Sequence, residues 1–332
     1  LRYSHAGVSL AASANGPWSV RQLYYACDER QPRLYDQGIA GFLFGTDTPS
    51  LADLTLAALW HTMIDKLPGL CPLLRQNAPT IEALVDRVAA RAPIAAVLTT
   101  GDNFYPNGVR SADDPRWRTS FEEVYAAPSL QVPWVAALGN HDHDVTAQAE
   151  LDYAARSKGR WVMPARYYAH HFPAADVRVL VLDACSLSDR WNREFFTVKG
   201  QAEAAAQWRW LEAELAKPAR WKVVVGHLPL KDHGFHPKEP EYVQRLVPLL
   251  ERHRVQLYLN GHNHHAEFLR EKGVAYVTCG NGADLYPILE EKASEFIGAY
   301  PGFTELEFGA EALRVRFLDA EGRVRHDAAV PR

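Results

Sequence analysis

The sequence is poor in cysteine, with four residues in 332 and no CxxC pair among them. A zinc site built from closely spaced cysteines is therefore not expected, and the spacing suggests one disulfide or none. An excess of basic charge is lacking as well, because 36 Lys and Arg stand against 40 Asp and Glu, for a net charge of −4. This balance gives no electrostatic footprint for nucleic acid, so we expect no nucleic-acid partner.

Long apolar runs are also missing, so the sequence predicts no membrane span. The first residues lack a charged start followed by a long apolar stretch, which is the pattern of an intact signal peptide. Hydrophobic residues make up 47% of the chain and charged residues 23%, which is ordinary for a globular enzyme. Histidine is more informative, since many of its 14 residues cluster in short stretches.

From about residue 80, strand-like and helix-like segments alternate along the chain. Apolar runs such as "IAAVL" and "WKVVV" predict buried strands, whereas "QAEAAAQWRWLEAEL" has the spacing of a helix. The C-terminal segment shows strand runs broken by glycine-containing turns, which suggests an antiparallel meander. The alternation predicts an α/β layered domain over residues 80–332. Residues 1–79 are less regular and form either a small extra subdomain or an atypical part of the main fold.

Four predicted strands end in a glycine that is followed by possible metal ligands. In chain order these are Asp102 and Tyr105 in "GDNFY", Asn140, His141 and Asp142 in "GNHD", His227 in "GHLP", and His262 and His264 in "GHNH". Ligands of layered α/β folds gather at the carboxyl ends of strands. Imidazole, carboxylate, amide and phenolate donors without a thiolate favour iron, zinc or manganese. There are more donors than the four that one tetrahedral ion binds, so we predict a two-metal site.

These motifs, in this order, resemble those of the calcineurin-like metallophosphoesterases. A Tyr three residues after the Asp is typical of the purple acid phosphatases, and the resemblance is strongest to their tartrate-resistant acid phosphatase type. It covers roughly residues 80–332 and implies a four-layer αββα sandwich with a dinuclear site at its strand ends. It also implies a secreted or periplasmic protein that hydrolyses small phosphomonoesters, with the dinuclear site activating a hydroxide for in-line attack on phosphate.

Two other functions remain open at this point. One is a phosphodiesterase or nucleotide-polyphosphate hydrolase that uses the same site, because the superfamily reuses it for several reactions. The other is a degenerate, non-catalytic phosphate-binding protein.

The resemblance implies a role for each predicted ligand. The centre would hold Fe(III) beside a divalent ion, which would be iron, zinc or manganese. The Fe(III) ligands would be Tyr105 and His264, the divalent-ion ligands Asn140, His227 and His262, and the bridging carboxylate Asp102.

Three further residues are implied to serve catalysis. His141 would contact the phosphate, with Asp142 orienting it. The loop that follows the third motif would supply another active-site histidine, predicted as His233, with His236 as the alternative.

One motif of the resembled family is missing. A strand ending in "GDxG" should precede the first ligand motif and supply a further carboxylate to the Fe(III), and no such segment exists upstream of Asp102. The best substitute is Asp47 in "FLFGTDTPS", and Asp28 is a weaker one. The competing interpretation is that Asp47 caps the helix predicted to begin near Ser50.

Overall fold

The computed structural model describes residues 94–195, 198–282, 285–289, 294–319 and 322–332. The predicted boundary near residue 80 lies outside these residues, and so do Asp28 and Asp47. Of the four cysteines, Cys185 and Cys279 are free thiols, while Cys27 and Cys71 lie outside the described residues.

The largest sheet has seven strands in the order β10-β8-β9-β7-β6-β5-β4. Its strands are β4 (Tyr168–Phe172), β5 (Val177–Val181), β6 (Trp221–Val225), β7 (Leu257–Asn260), β8 (Ala266–Glu271), β9 (Val274–Cys279) and β10 (Phe296–Gly298). Strands β5, β6, β7 and β9 pair in parallel. Their carboxyl ends therefore lie along one edge, where the residues that follow β6 and β7 are brought close together.

Two smaller sheets accompany the large one. Strands β1 (Val97–Thr99), β2 (Trp134–Ala136) and β3 (Trp161–Val162) pair in parallel. A parallel bridge between Leu138 and Asp183 joins the chain beyond β2 to the chain beyond β5, so the carboxyl ends of two sheets meet. Strands β11 (Gly302–Phe308), β12 (Ala312–Asp319) and β13 (Val324–Pro331) form the predicted antiparallel meander.

Six α-helices lie in the described part of the chain, and none of them has the length and apolar character that a membrane crossing requires. They are α1 (Asn140–His143), α2 (Gln148–Ala154), α3 (Ala184–Leu187), α4 (Asp189–Phe195), α5 (Val198–Leu215) and α6 (Pro240–Arg252). The segment before β2, which the pattern predicts as one helix, is instead a short π-helix (Trp117–Glu122) and a 3-10 turn (Pro128–Leu130). Pro128 has no backbone N–H with which a longer helix could continue.

The large sheet separates two apolar cores. On one face, Val179 of β5 and Val223 of β6 pack among side chains of the two smaller sheets. On the other face, Leu180 of β5 packs with Leu211 of α5 and Leu246 of α6. The alternation of side chains along each strand thus places helices outside and sheets inside. This arrangement agrees with the predicted α/β sandwich.

The helical layer should contribute measurably to stability. Leu211 is fully buried, so Leu211→Ala should lower the free energy of unfolding by about 2–5 kcal/mol. Its neighbour Glu212 is exposed on the same helix, and Glu212→Ala should change the free energy of unfolding by no more than about 0.5 kcal/mol. Urea unfolding followed by circular dichroism measures both, and equal losses in the two variants would contradict this packing.

Candidate metal centre

The first predicted ligand, Asp102, follows β1 in an unusual backbone conformation. Its φ is 55°, in the left-handed region, and its side chain lies against Gly139 at the end of the next strand. A Cβ atom on Gly139 would lie 2.2 Å from Asp102 Oδ1, so only glycine fits here. The backbone N–H of His141 donates to Asp102 Oδ1 at 3.0 Å. This bond fixes the carboxylate and leaves Oδ2 to face the other ligands.

One group of donors meets around His227. Its Nε2 lies 3.0 Å from Asn140 Oδ1, 3.1 Å from His262 Nδ1 and 3.3 Å from Asp102 Oδ2. Its other nitrogen, Nδ1, donates to the carbonyl oxygen of Thr100 at 2.8 Å, so Nε2 is the nitrogen that faces the other three atoms. Four possible ligand atoms therefore face one another in a buried place. The donor set fits a divalent cation, which would take the place of the proton that His227 Nε2 shares with these atoms.

A second group of donors meets around Tyr105. Its hydroxyl donates to Asp102 Oδ2 at 2.9 Å and lies 3.1 Å from His264 Nε2. Asp102 Oδ2 therefore touches both groups, as a carboxylate that bridges two ions must. The structure brings together the six predicted ligands that lie within the described residues, and they divide into the two predicted sets; the seventh, Asp47, lies outside those residues.

Burial and neighbouring charges set the ionisation of these ligands. Burial raises the pKa of Asp102, but the charge and hydrogen bond of His227 outweigh it and hold that pKa well below its usual range. Burial and the charge of His227 lower the pKa of His262 to about 2. Both residues thus have the protonation state that a metal ligand needs. Tyr105 and His227 are the exceptions. Burial and Asp102 raise the pKa of Tyr105. Burial alone would lower the pKa of His227, but the charge and hydrogen bond of Asp102 raise it, so a cation has to displace a proton from each of these two residues.

Asp142, predicted to orient His141, has a different set of contacts. Its carboxylate is buried and accepts from the backbone N–H of Gly139 at 2.8 Å, of Asn103 at 2.9 Å and of Phe104 at 3.3 Å. It therefore ties the loop after β1 to the loop after β2. The carboxylate of Asp142 thus holds the backbone of the two loops that carry predicted ligands, and it is too deeply buried to face a substrate.

A second buried carboxyl, Glu150 of α2, supports this contact and was missed from the sequence. The side-chain amide of Asn103 donates to Glu150 Oε2 at 3.0 Å and to Asp142 Oδ2 at 3.3 Å. Burial, then the charge of Asp102, raises the pKa of Asp142 to about 6. Burial and Asp142 raise the pKa of Glu150 well above its ordinary value. Burial together with the neighbouring charge of Asp142 therefore favours the protonated form of Glu150.

His141 lies at the accessible side of the centre. Its ring Nδ1 donates to the carbonyl oxygen of Pro106 and lies 3.7 Å from Asp144 Oδ2. The ring centroid is 4.6 Å from that of Tyr105, and the side chain is 33% exposed. With Nδ1 held by the protein, Nε2 is the nitrogen available to a bound molecule. This placement suits the predicted contact with a phosphate.

The two candidate histidines of the loop after β6 lie in different surroundings. His233 contacts Glu267 Oε1 at 2.6 Å and Ser294 Oγ at 2.9 Å through its Nδ1. His236 instead packs on the ligand His262, with ring centroids 4.5 Å apart. The structure thus places the alternative, His236, next to a predicted ligand, whereas His233 contacts the buried carboxylate of Glu267. The residues around His233 give no sign of this contact, because Glu267 lies on the distant strand β8.

Comparisons with known proteins agree with this geometry. Residues 60–266 match the family model of the calcineurin-like phosphoesterases. The chain is 30% identical to Purple acid phosphatase 3 of Arabidopsis thaliana over 75% of this chain and 72% of that protein. It is 31% identical to Tartrate-resistant acid phosphatase type 5 of Homo sapiens over 86% of this chain and 94% of that protein. Residues 1–70 match a different model, an uncharacterized protein conserved in bacteria (DUF2145).

Solved structures show the same fold. GAP50, the anchor in the inner membrane complex of Plasmodium, superposes with a TM-score of 0.63 at 23% identity, over 77% of this chain and 82% of that chain. Purple acid phosphatase PPD1 from yellow lupin seeds gives a TM-score of 0.56 at 16% identity, over 76% of this chain and 49% of that chain. The fold and the ligand set together define a metallophosphoesterase. The chain belongs to the calcineurin-like phosphoesterases and, within them, to the purple acid phosphatases.

The close approach of Gly139 to Asp102 can be tested directly. Gly139→Ala should lower the free energy of unfolding by about 1–3 kcal/mol, because the added Cβ overlaps the Asp102 carboxylate. Gly282→Ala is the matched control, since the nearest atom to its added Cβ is 3.9 Å away. Thermal unfolding and metal content, measured on both variants, check the prediction. A Gly139→Ala protein with unchanged stability and metal content would refute it.

Proposed function

We propose that this chain is a phosphomonoester hydrolase with a dinuclear centre of Fe(III) and a divalent ion, which is iron, zinc or manganese. One observation carries the proposal: Asp102 Oδ2 lies 2.9 Å from the hydroxyl of Tyr105 and 3.3 Å from Nε2 of His227. A single carboxylate oxygen thus touches two different donor groups. The acid phosphatase relatives support the choice of a phosphomonoester as substrate.

The residues present fit both ions. Tyr105 and His264, with Asp102, would hold the trivalent ion, because phenolate and carboxylate oxygens suit a hard cation. The divalent ion would be held by Asp102 and by the donors that meet at His227. Two such cations, when bound, would neutralise the charge of a phosphate and supply a water molecule of lowered pKa.

The protein's own side chains then complete the reaction. His141, anchored through Nδ1 by the Pro106 carbonyl, offers Nε2 to an equatorial phosphate oxygen, where an imidazolium would offset the developing charge. His236 lies on His262 at the rim of the centre and is placed to give a proton to the leaving oxygen. Asp142 takes no part in proton transfer and keeps the two ligand loops in register.

Two observations bear on the alternatives. The upstream carboxylate motif is missing, and the candidate Asp47 lies within residues 1–70, which match a different family model. A non-catalytic phosphate-binding protein would follow if the trivalent ion cannot bind without that carboxylate. A phosphodiesterase would follow if diesters are hydrolysed faster than monoesters. Small phosphate esters as substrates and an exported location, secreted or periplasmic, belong to the same proposal.

Metal analysis with a visible spectrum tests the centre itself. The purified protein should contain about two metal ions per chain and show a purple band from the phenolate bound to iron. Tyr105→Phe should lose that band, whereas Tyr167→Phe, which alters a tyrosine packed on Trp210, should keep it. A colourless protein that binds no metal and hydrolyses no monoester after addition of iron and zinc would establish the non-catalytic alternative.

The roles of the two loop histidines can be separated kinetically. His236→Ala should lower kcat by about 100-fold or more, because loss of a general acid typically costs that much. The loss should be largest for esters with poor leaving groups, which depend most on protonation. His233→Ala should cost less than about tenfold, since it removes only the side-chain contacts with Glu267 and Ser294. If His233→Ala lost more of its kcat than His236→Ala, and lost most for esters with poor leaving groups, then His233 would be the general acid.

A further inference from the structure

A row of aromatic rings leads from the metal ligands to the protein surface. Tyr286 stacks on His264 with ring centroids 4.0 Å apart and an interplanar angle of 6°. The ring of Phe235 lies 5.9 Å from that of Tyr286 and 5.3 Å from that of His236. His236 in turn packs on His262. Phe235, His236 and Tyr286, which we call the aromatic wall, therefore form a continuous face beside both ions' ligands.

The outer end of the aromatic wall is unusually exposed for apolar side chains. Phe235 is 54% exposed and Leu289 is 67% exposed, and within the described ranges only two other large hydrophobic side chains are exposed. The backbone N–H of Leu289 donates to the carbonyl oxygen of His233 at 2.9 Å. The segment that carries Leu289 therefore lies next to the loop that carries Phe235. Covering exposed apolar surface with a ligand is favourable, because it removes that surface from water.

The loop that carries Phe235 is held in place by the ligand-bearing turn. The side chain of Asn263, which stands between the ligands His262 and His264, accepts from the backbone N–H of His236 at 2.7 Å. Its amide donates to Asp232 Oδ2 at 2.6 Å, and Asn263 is fully buried. Both flanks of Phe235 are thus anchored to the metal centre. Its ring is presented at a fixed distance from the ions rather than on a free loop.

We propose that Phe235 and Tyr286 bind the leaving group of the substrate and select aromatic phosphomonoesters over polar alkyl ones. This inference rests on the proposed function. A phosphate held beside His262 and His264 would lie next to the rings of His236 and Tyr286, so a leaving group that points toward Phe235 would run along the aromatic wall. An aryl group there meets ring faces and edges, contacts that polar alkyl groups cannot make. In the reaction a water oxygen bonds to phosphorus, the bond from phosphorus to the aryl oxygen breaks, and that oxygen keeps the electron pair and takes up a proton. The products are a phenol and inorganic phosphate.

The test compares two substrates in matched variants of the full, metal-loaded chain. Phe235→Ala should lower the ratio of kcat/KM for phenyl phosphate to kcat/KM for glycerol 3-phosphate by about 2- to 12-fold. Phe235→Tyr should keep the ratio, because the ring remains. Val324→Ala, which alters an exposed valine of β13, is the control and should leave the ratio unchanged. An unchanged ratio in Phe235→Ala, or an equal loss for both substrates, overturns the proposal.

A binding measurement separates this inference from the proposed function. Calorimetry with phenylphosphonate and methylphosphonate, neither of which has an ester bond to cleave, should show tighter binding of the phenyl compound. Phe235→Ala should remove that preference. If the wild-type chain hydrolyses neither ester but prefers phenylphosphonate, the hydrolase proposal fails and aromatic recognition stands. If the wild-type chain shows no preference between the phosphonates, the recognition proposal fails whether or not esters are hydrolysed.

Discussion

The site depends on one carboxylate that has to serve two groups of donors. Asp102 Oδ1 is occupied by the N–H of His141, and Oδ2 alone faces both Tyr105 and His227. This geometry requires a left-handed backbone at Asp102 and a neighbouring strand end without a side chain, which Gly139 provides. The parallel register of β1 on β2 sets the distance between the two loops. The position of the carboxylate is therefore a consequence of the sheet.

The buried polar groups beneath the ligands maintain that position. Asp142 accepts three backbone N–H groups from the two loops, and each would lose its partner if the carboxylate were removed. If Asp142 and Glu150 were both ionised, they would add two negative charges beside that of Asp102. Burial raises the pKa of Glu150 well above its ordinary value, which favours its neutral form, and the amide of Asn103 donates to both Asp142 and Glu150. The network thus holds the two loops together with little charge repulsion.

The α/β layers and the meeting of the six side chains from the strand ends could be predicted because both depend on local patterns. Parallel strands end at a common edge, so polar residues that follow glycine at several strand ends must meet there. The positions of His233 and His236 could not be predicted, since they depend on Glu267, which pairs with His233 across 34 residues of sequence. The contact between Asn103 and Glu150 spans 47 residues, and a Glu in a helix gives no sign that it is buried. The features that could not be predicted are therefore contacts between buried polar groups that lie far apart in the sequence.

The turn that carries His262 and His264 connects metal binding with the surface that a substrate would meet. The φ of His262 is 62°, so the two imidazoles, two residues apart, splay to different partners, His227 and Tyr105. The same splay turns Asn263 away from the ions and toward the loop after β6, whose backbone it binds. A displacement of this turn would therefore move one donor of each group and the loop that carries Phe235 at once. The donor groups and the exposed ring of Phe235 are thus held by a single turn, whose buried Asn263 joins the two.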